Sequence, residues 1–322
     1  MLGDKEFPAT LTGYRDLVEW MGAFGEISRI GVESTGSYGA GLARYLNTRG
    51  VRVVEINQPH AHTRLRLGKS DPIDAEAAAR KALDGRLSTQ PKRTTGVVEA
   101  IRVLRVARES AVKARSAALV QFQDLVTTAP GELRESLSSR GTRANVTRAA
   151  SWRPDATRLD DPTQANRAAL RAIARRVHTL DEEIVVADEQ LGRLVEKAAP
   201  TLMSRVGIGT HHTAQLLITA GENIDRLTSE AAFARLCGVA PIPASSGKTH
   251  RMRLHRGGDR QANRSLHMIA ICRLRCDQRT IDYMTCRQAE GLSKKDVLRC
   301  LKRFIAREVF RDLVTDLDQR GS

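Results

Sequence analysis

Leu170, Ile173, Val177, Leu180, Ile184, Ala187, Leu191 and Leu194 recur at alternating steps of three and four. Held for more than three heptads, this seam commits the stretch to one long helix, because only a helix returns the same face at that spacing. The stripe of a lone surface helix drifts toward a period of about 3.6. A repeat kept at seven therefore favours a coiled coil, within or between chains, over an ordinary packed helix. Pro200 closes the run.

The chain ahead of this helix reads differently. Ile27 to Val32 is a short β-rich run ending at Glu33, and Val51 to Ile56 is a second, closed by Asn57 and Pro59. Helical patterns cover Leu11 to Phe24, Gly39 to Leu46 and Pro72 to Leu83, the last stopped by Gly85. Strands alternating with helices predict an α/β layer. An Arg/Ala-rich helix from about Val97 to Val126 follows, then a polar connection carrying Trp152, Pro154 and Pro162. Beyond Pro200 the pattern is helical, broken by a loop from Pro241 to Gly258. The segments are thus 1–130 (α/β with a trailing helix), 131–198 (connection and coiled coil) and 199–322 (helical).

Charge narrows the function. The 322 residues carry a net +15. Between Gly247 and Arg311, 17 Lys and Arg face 6 Asp and Glu, so most of the excess sits in a fifth of the length. A solvated helix would mix signs; this imbalance predicts a polyanion as partner. No apolar run reaches the ~18–20 residues of a membrane span, and the N-terminus lacks a signal-peptide pattern. Five cysteines, an odd number without zinc-site spacing, read as reduced thiols of a cytoplasmic protein.

Four constellations could carry chemistry. Glu33 follows a strand, and Asp71 and Asp74 open a helix. Such carboxylates can converge on Mg²⁺, although Asp-Pro-Ile-Asp is also a sound helix start, with an N-cap acid and Pro at N1. Pro241 to Lys248 holds Ser245 and Ser246 beside Gly247, followed by Arg251 and Arg253. This is either a polar turn or a hydroxyl offered to a phosphodiester amid cations. Gly207-Ile208-Gly209 reads as a helix–helix corner or as a hairpin whose amides accept a phosphate, with His211 and His212 nearby. Arg256, then Arg260, Asn263, Arg264 and His267 on one helical stripe, form a basic helix start suited to nucleic acid.

In order along the chain these strings are far more specific. Gly31-Val32-Glu33-Ser34-Thr35-Gly36-Ser37-Tyr38 and Lys69-Ser70-Asp71-Pro72-Ile73-Asp74-Ala75 resemble the DEDD transposases of insertion sequences, the IS one-ten family of bridge-RNA-guided recombinases. Leu236-Cys237-Gly238-Val239-Ala240-Pro241, Ser245-Ser246-Gly247 and Arg256 through Arg264 extend the resemblance over nearly the whole chain. It implies a RuvC-like (RNase H-like) domain whose Glu33, Asp71 and Asp74 bind Mg²⁺, and a helical domain whose loop serine attacks DNA. Ser246 is the assigned nucleophile and Ser245 the alternative. Lys248, Arg251, Arg253, Arg256, Arg260, Asn263, Arg264, Gly207 and Gly209 would contact nucleic acid. The resemblance also implies donor and target DNA, an element-encoded guide RNA and assembly through the coiled coil, in the bacterial cytoplasm at the nucleoid.

One element of the family pattern is missing. Its first Asp lies on an opening strand upstream of the Glu, whereas Met1-Leu2-Gly3-Asp4-Lys5-Glu6-Phe7 looks like a later strand. The expectation is a truncated RuvC-like domain, from a misassigned start or a shortened gene copy. Two other readings stay open: a metal nuclease like a Holliday-junction resolvase, in which water attacks, and a non-catalytic copy that binds nucleic acid.

Overall fold

The computed structural model describes residues 3–56, 71–84, 90–138, 141–244 and 252–318, with the backbone alone at 71–74, 77, 84 and 254. It is mostly helical, with two small sheets. The chain divides into two compact units, one of residues 1–99 with 198–322 and one of residues 100–197. These differ from the segments read in the sequence, because the helix beginning near residue 97 groups with the middle of the chain.

In the first unit, α1 (Leu11–Gly22) precedes β1 (Ile30–Glu33), α2 (Ala40–Thr48), β2 (Val53–Ile56) and α3 (Asp71–Asp84). Thr10 starts α1, its hydroxyl accepting from Gly13 N. β1 and β2 pair in parallel, Ile30 opposite Val53 and Glu33 opposite Ile56. Alternation along the strands sorts the two faces. Ile30, Val32 and Val53 pack with Ala43 and Leu46 of α2, while Val54 and Ile56 meet Ala78 and Ala82 of α3. Gly31 therefore lies under α3, where a Cβ would come within 2.8 Å of Ala78 O. Only glycine lets the helix lie that close.

The second unit is built on α4 (Val97–Thr127) and α7 (Pro162–Ala198), with α5 (Gly131–Ser138) and α6 (Thr142–Ala150) between them. The two short helices occupy what reads as a polar connection. Leu133, Leu137, Val146 and Ala149 bury their few apolar groups around Phe122 and Leu170, too few to show periodicity. The helix carrying the seam is present, and its covered face is broader than the seam. Leu170, Val177, Ile184 and Leu191 are buried as expected, and Ile173, Leu180, Ala187 and Leu194 are partly covered, Ile173 against the Phe122 core; Ala174 and Val195 add a more deeply buried row beside them. Asp181 and Asp188 continue that inward row and bind Arg115 and Arg108 of α4. The partner number falls on one helix as it rises on the other, so α4 and α7 run antiparallel.

The remainder of the first unit is a helical group: α8 (Pro200–Met203), α9 (Thr210–Ala220), α10 (Glu230–Leu236), α11 (Arg260–Cys276), α12 (Gln278–Ala289) and α13 (Lys294–Asp318). Asp316 accepts from Thr201 N and Leu202 N, and Asp312 holds Arg205 at 2.7 and 2.8 Å. Segment 91–98 is fastened to this group. Lys92 Nζ donates to Ile218 O at 2.9 Å, Asn223 bridges Pro91 O and Arg93 N, and Glu222 accepts from Val97 N and Val98 N. Among the described residues no helix is long and apolar enough to cross a membrane.

Candidate functional site

Glu33 closes β1 on the face that meets α3, because side chains alternate and Gly31, two residues earlier, lies beneath that helix. The direction of α3 decides where Asp71 and Asp74 go. Ala78 O lies over Gly31, and Ala82 O accepts from Arg29. The helix therefore runs against the strand, and its first turn points toward Glu33. Four helical residues back from Ala78 is ~6 Å and two strand residues on from Gly31 is ~6.6 Å. Positions 33 and 74 come level, with Asp71 beyond. The Glu33 Oε1 atom is buried and lacks a hydrogen-bond partner among the described residues. Among those residues no three His, Cys, Asp or Glu side chains gather as a metal cluster; those of Asp71 and Asp74 are not among them.

The turn after Glu33 is tightly built. Ser34 adopts φ +54, a left-handed conformation costly for a residue with a Cβ. Its carbonyl accepts from Ser37 N and Gly39 N at 2.8 and 3.0 Å. Thr35 is buried and donates to Glu55 Oε1 at 2.7 Å. Glu55 is a site residue that the motifs do not include. A lone acid inside the apolar run Val51 to Ile56 is the signal that marks it.

The basic region lies farther along the chain. What reads as a loop from Pro241 contains a short antiparallel hairpin, β3 (Pro241–Pro243) with β4 (Met252–Leu254), Ile242 opposite Arg253. Ser245, Ser246, Lys248 and Arg251 lie between its strands, outside the described residues. Arg253 is exposed on β4. Beyond it, Gly238, His255, Arg256, Gly257, Asp259, Arg260, Asn263, Arg264 and His267 line a cavity of about 360 Å³. Its wall depends on Gly258, at φ +105, where a Cβ would sit 2.7 Å from Leu236 O.

Asp259 caps α11 by accepting from Gln261 N and Ala262 N through one oxygen, and accepts from Thr219 Oγ1 at 2.6 Å through the other. Asn263 is engaged with the fold. Its amide donates to Cys237 O and Gly238 O and accepts from Lys302 Nζ. Arg256, Arg260 and Arg264 are exposed, the last two on the helical stripe expected from sequence and Arg256 in the turn ahead of α11. Burial and nearby Arg299 hold the Lys302 ammonium below its ordinary value.

Gly207 takes φ +76, and Gly209 stands at the N-cap of α9 with no side-chain cap. Arg273 fastens this turn: it donates to Val206 O at 2.8 Å and is paired with Glu308 at 2.5 Å.

Two family models match in sequence order. One for DEDD transposases of the IS110 type covers residues 1–129, and one described as the transposase IS116/IS110/IS902 family covers residues 199–285. The chain belongs to the IS110 transposase family. It is 29% identical over 135 residues to the insertion element IS110 uncharacterized 43.6 kDa protein of Streptomyces coelicolor. That match covers 41% of this IS110-family chain and 33% of the relative, so the chain spans about a third of the curated relative's length in the match. The DEDD match takes in Glu33, Asp71 and Asp74, and the second takes in the hairpin and the start of α11.

Proposed function

We propose that this chain is a DNA transposase/recombinase that cuts and rejoins strands through a serine–DNA link, working on donor and target DNA and guided by a structured RNA. The observation that carries the reading is the arrival of Glu33 and the first turn of α3 at one end and on one face of β1. That corner fits Mg²⁺: the donors are hard carboxylate oxygens, and Glu33 Oε1 is buried without a partner among the described residues. Glu33, Asp71 and Asp74 would hold the ion, which when bound stabilises charge on attacking and leaving oxygens.

The protein's own residues do the rest. The Ser246 hydroxyl, with Ser245 as the alternative, forms a bond to phosphorus as one backbone P–O bond breaks. The serine gives up its proton and the displaced sugar oxygen gains one. Attack by another strand's hydroxyl reverses these steps, so no nucleotide need be consumed. Arg256, Arg260 and Arg264, with Arg253, Lys248 and Arg251, supply positive charge along the backbone, and Asn263 holds the wall behind them. The Gly207–Gly209 turn offers the first amides of α9 to a phosphate. The antiparallel pair α4/α7 serves as the coiled-coil arm of a homo-oligomer, and the sheet corner as a RuvC-like site in a cytoplasmic, nucleoid-associated enzyme.

The test is to mix chain, guide RNA, donor and target DNA, denature, and look for protein-linked DNA. Wild type is expected to give the adduct, Ser246→Ala to lose it, and Glu33→Gln to lose cleavage. Cleavage undiminished in both Ser246→Ala and Ser245→Ala, with no adduct in wild type, would replace the serine by water.

A further inference from the structure

We propose that Tyr38 is a stacking platform for an unpaired DNA base next to the phosphate handled at Glu33; this rests on the nucleic-acid reading above. The chain has four tyrosines. Tyr14 and Tyr45 pack on each other with centroids 5.8 Å apart, and Tyr283 meets Phe304 edge-on at 5.6 Å. Tyr38 does neither: it is 96% exposed, and no ring lies against it among the described residues. Full exposure forgoes the burial that an aromatic ring normally supplies.

The turn that carries the ring is not a loose one. Ser34 is held at φ +54, its carbonyl accepts two backbone bonds, and Thr35 is buried and tied to Glu55. Gly39 closes the loop so tightly that a Cβ there would lie 2.3 Å from Glu33 O. An ordered turn thus spends backbone strain to present a bare phenol five residues after Glu33. A flat ring with few rotatable bonds loses little entropy on binding, and any base offers it a face, so contact is tolerant of sequence. Base stacking beside the strand would fix the scissile phosphate without adding charge. Tyr38 is thus a positioning residue, its hydroxyl dispensable.

The experiment uses the full chain with single-stranded DNA, duplex DNA and single-stranded RNA of one sequence, the single strands carrying 2-aminopurine. Tyr38→Ala is expected to weaken single-stranded DNA binding by about 5–150-fold, the equivalent of 1–3 kcal/mol per stacked base. It should abolish the fluorescence quenching and leave duplex affinity unchanged, while Tyr38→Phe and Tyr38→Trp retain both affinity and quenching. Loss in Tyr38→Phe equal to that in Tyr38→Ala would overturn stacking in favour of the hydroxyl. A loss confined to RNA would overturn the assignment to DNA. If wild type binds and Tyr38→Ala binds equally, this inference alone fails; if wild type binds none of the three, the proposed function fails with it.

Discussion

Arginine is used in two ways in this molecule. In the α4/α7 pair, Arg108 and Arg115 stand seven residues apart and meet Asp188 and Asp181, also seven apart, so each cation is matched inside the fold. At the start of α11, Arg256, Arg260 and Arg264 surround a cavity and stay exposed. Both groups count equally toward a net charge of +15. The difference teaches that a basic composition locates a polyanion surface only after internally paired cations are set aside. Within the excess between Gly247 and Arg311, Arg273 is held by Glu308, and Arg303 and Arg307 by Glu230. The surface left for phosphate is narrower than the tally suggests.

The sharpest way to break this contrast is to neutralise each group. Replacing Arg256, Arg260 and Arg264 together by Ala should lower the slope of log affinity against log salt by about 2.7, at roughly 0.9 per phosphate contact on duplex DNA. The thermal midpoint should stay put, because the three side chains are exposed. An unchanged salt slope would show that these arginines face something other than DNA. Arg108→Ala should do the reverse, leaving the slope alone and costing stability. The cost is ~1 kcal/mol, since Arg108 is 20% exposed but Asp188 37%, and solvent weakens the pair. Urea unfolding of Arg108→Ala, Asp188→Ala and the double variant isolates the coupling between them. No coupling would mean that the matched spacing carries no energy.

The same contrast explains what could be read from sequence. β1, α2, β2 and α3 follow the expected order within about three residues, because each combines an apolar run with a clear stop. The long seam is legible, but the ion-paired row beside it is not. Counting apolar residues picks out Leu180 and Ala187, which are partly covered, whereas Asp181 and Asp188 beside them pair with arginines of a helix some 70 residues away, which no local pattern shows. α5 and α6 were hidden for a related reason: two buried apolar residues per helix make no period until Phe122 supplies the surface they cover. At the candidate site, Glu33 and the helix opened by Asp71 were legible as local signals. Their arrival at one corner rests on the antiparallel lie of α3, which only tertiary packing shows. Asn263, placed by sequence on a nucleic-acid stripe, lines the cavity there and also donates to Cys237 O and Gly238 O, contacts set by a turn 25 residues earlier.

A third use of positive charge gives the smallest expected effect. Lys92 is neither exposed nor matched by a single carboxylate; its ammonium is buried against Ile218 O. Burial first, then neighbouring Arg226, holds it below its ordinary value of 10.5, with Asp259 and Glu55 pulling the other way. Between that lowered value and 10.5 the unfolded chain binds more protons at this position than the folded one, so the lysine's contribution to stability rises with pH. Lys92→Met should remove that rise while losing one hydrogen bond at every pH. The observable is the difference in unfolding free energy between wild type and Lys92→Met, followed in urea up to about pH 10. A difference that grows in favour of wild type as pH rises supports a buried, strained cation. A level difference would place Lys92 with the solvated arginines of α11, and the fastening of segment 91–98 would then rest on Asn223 and Glu222.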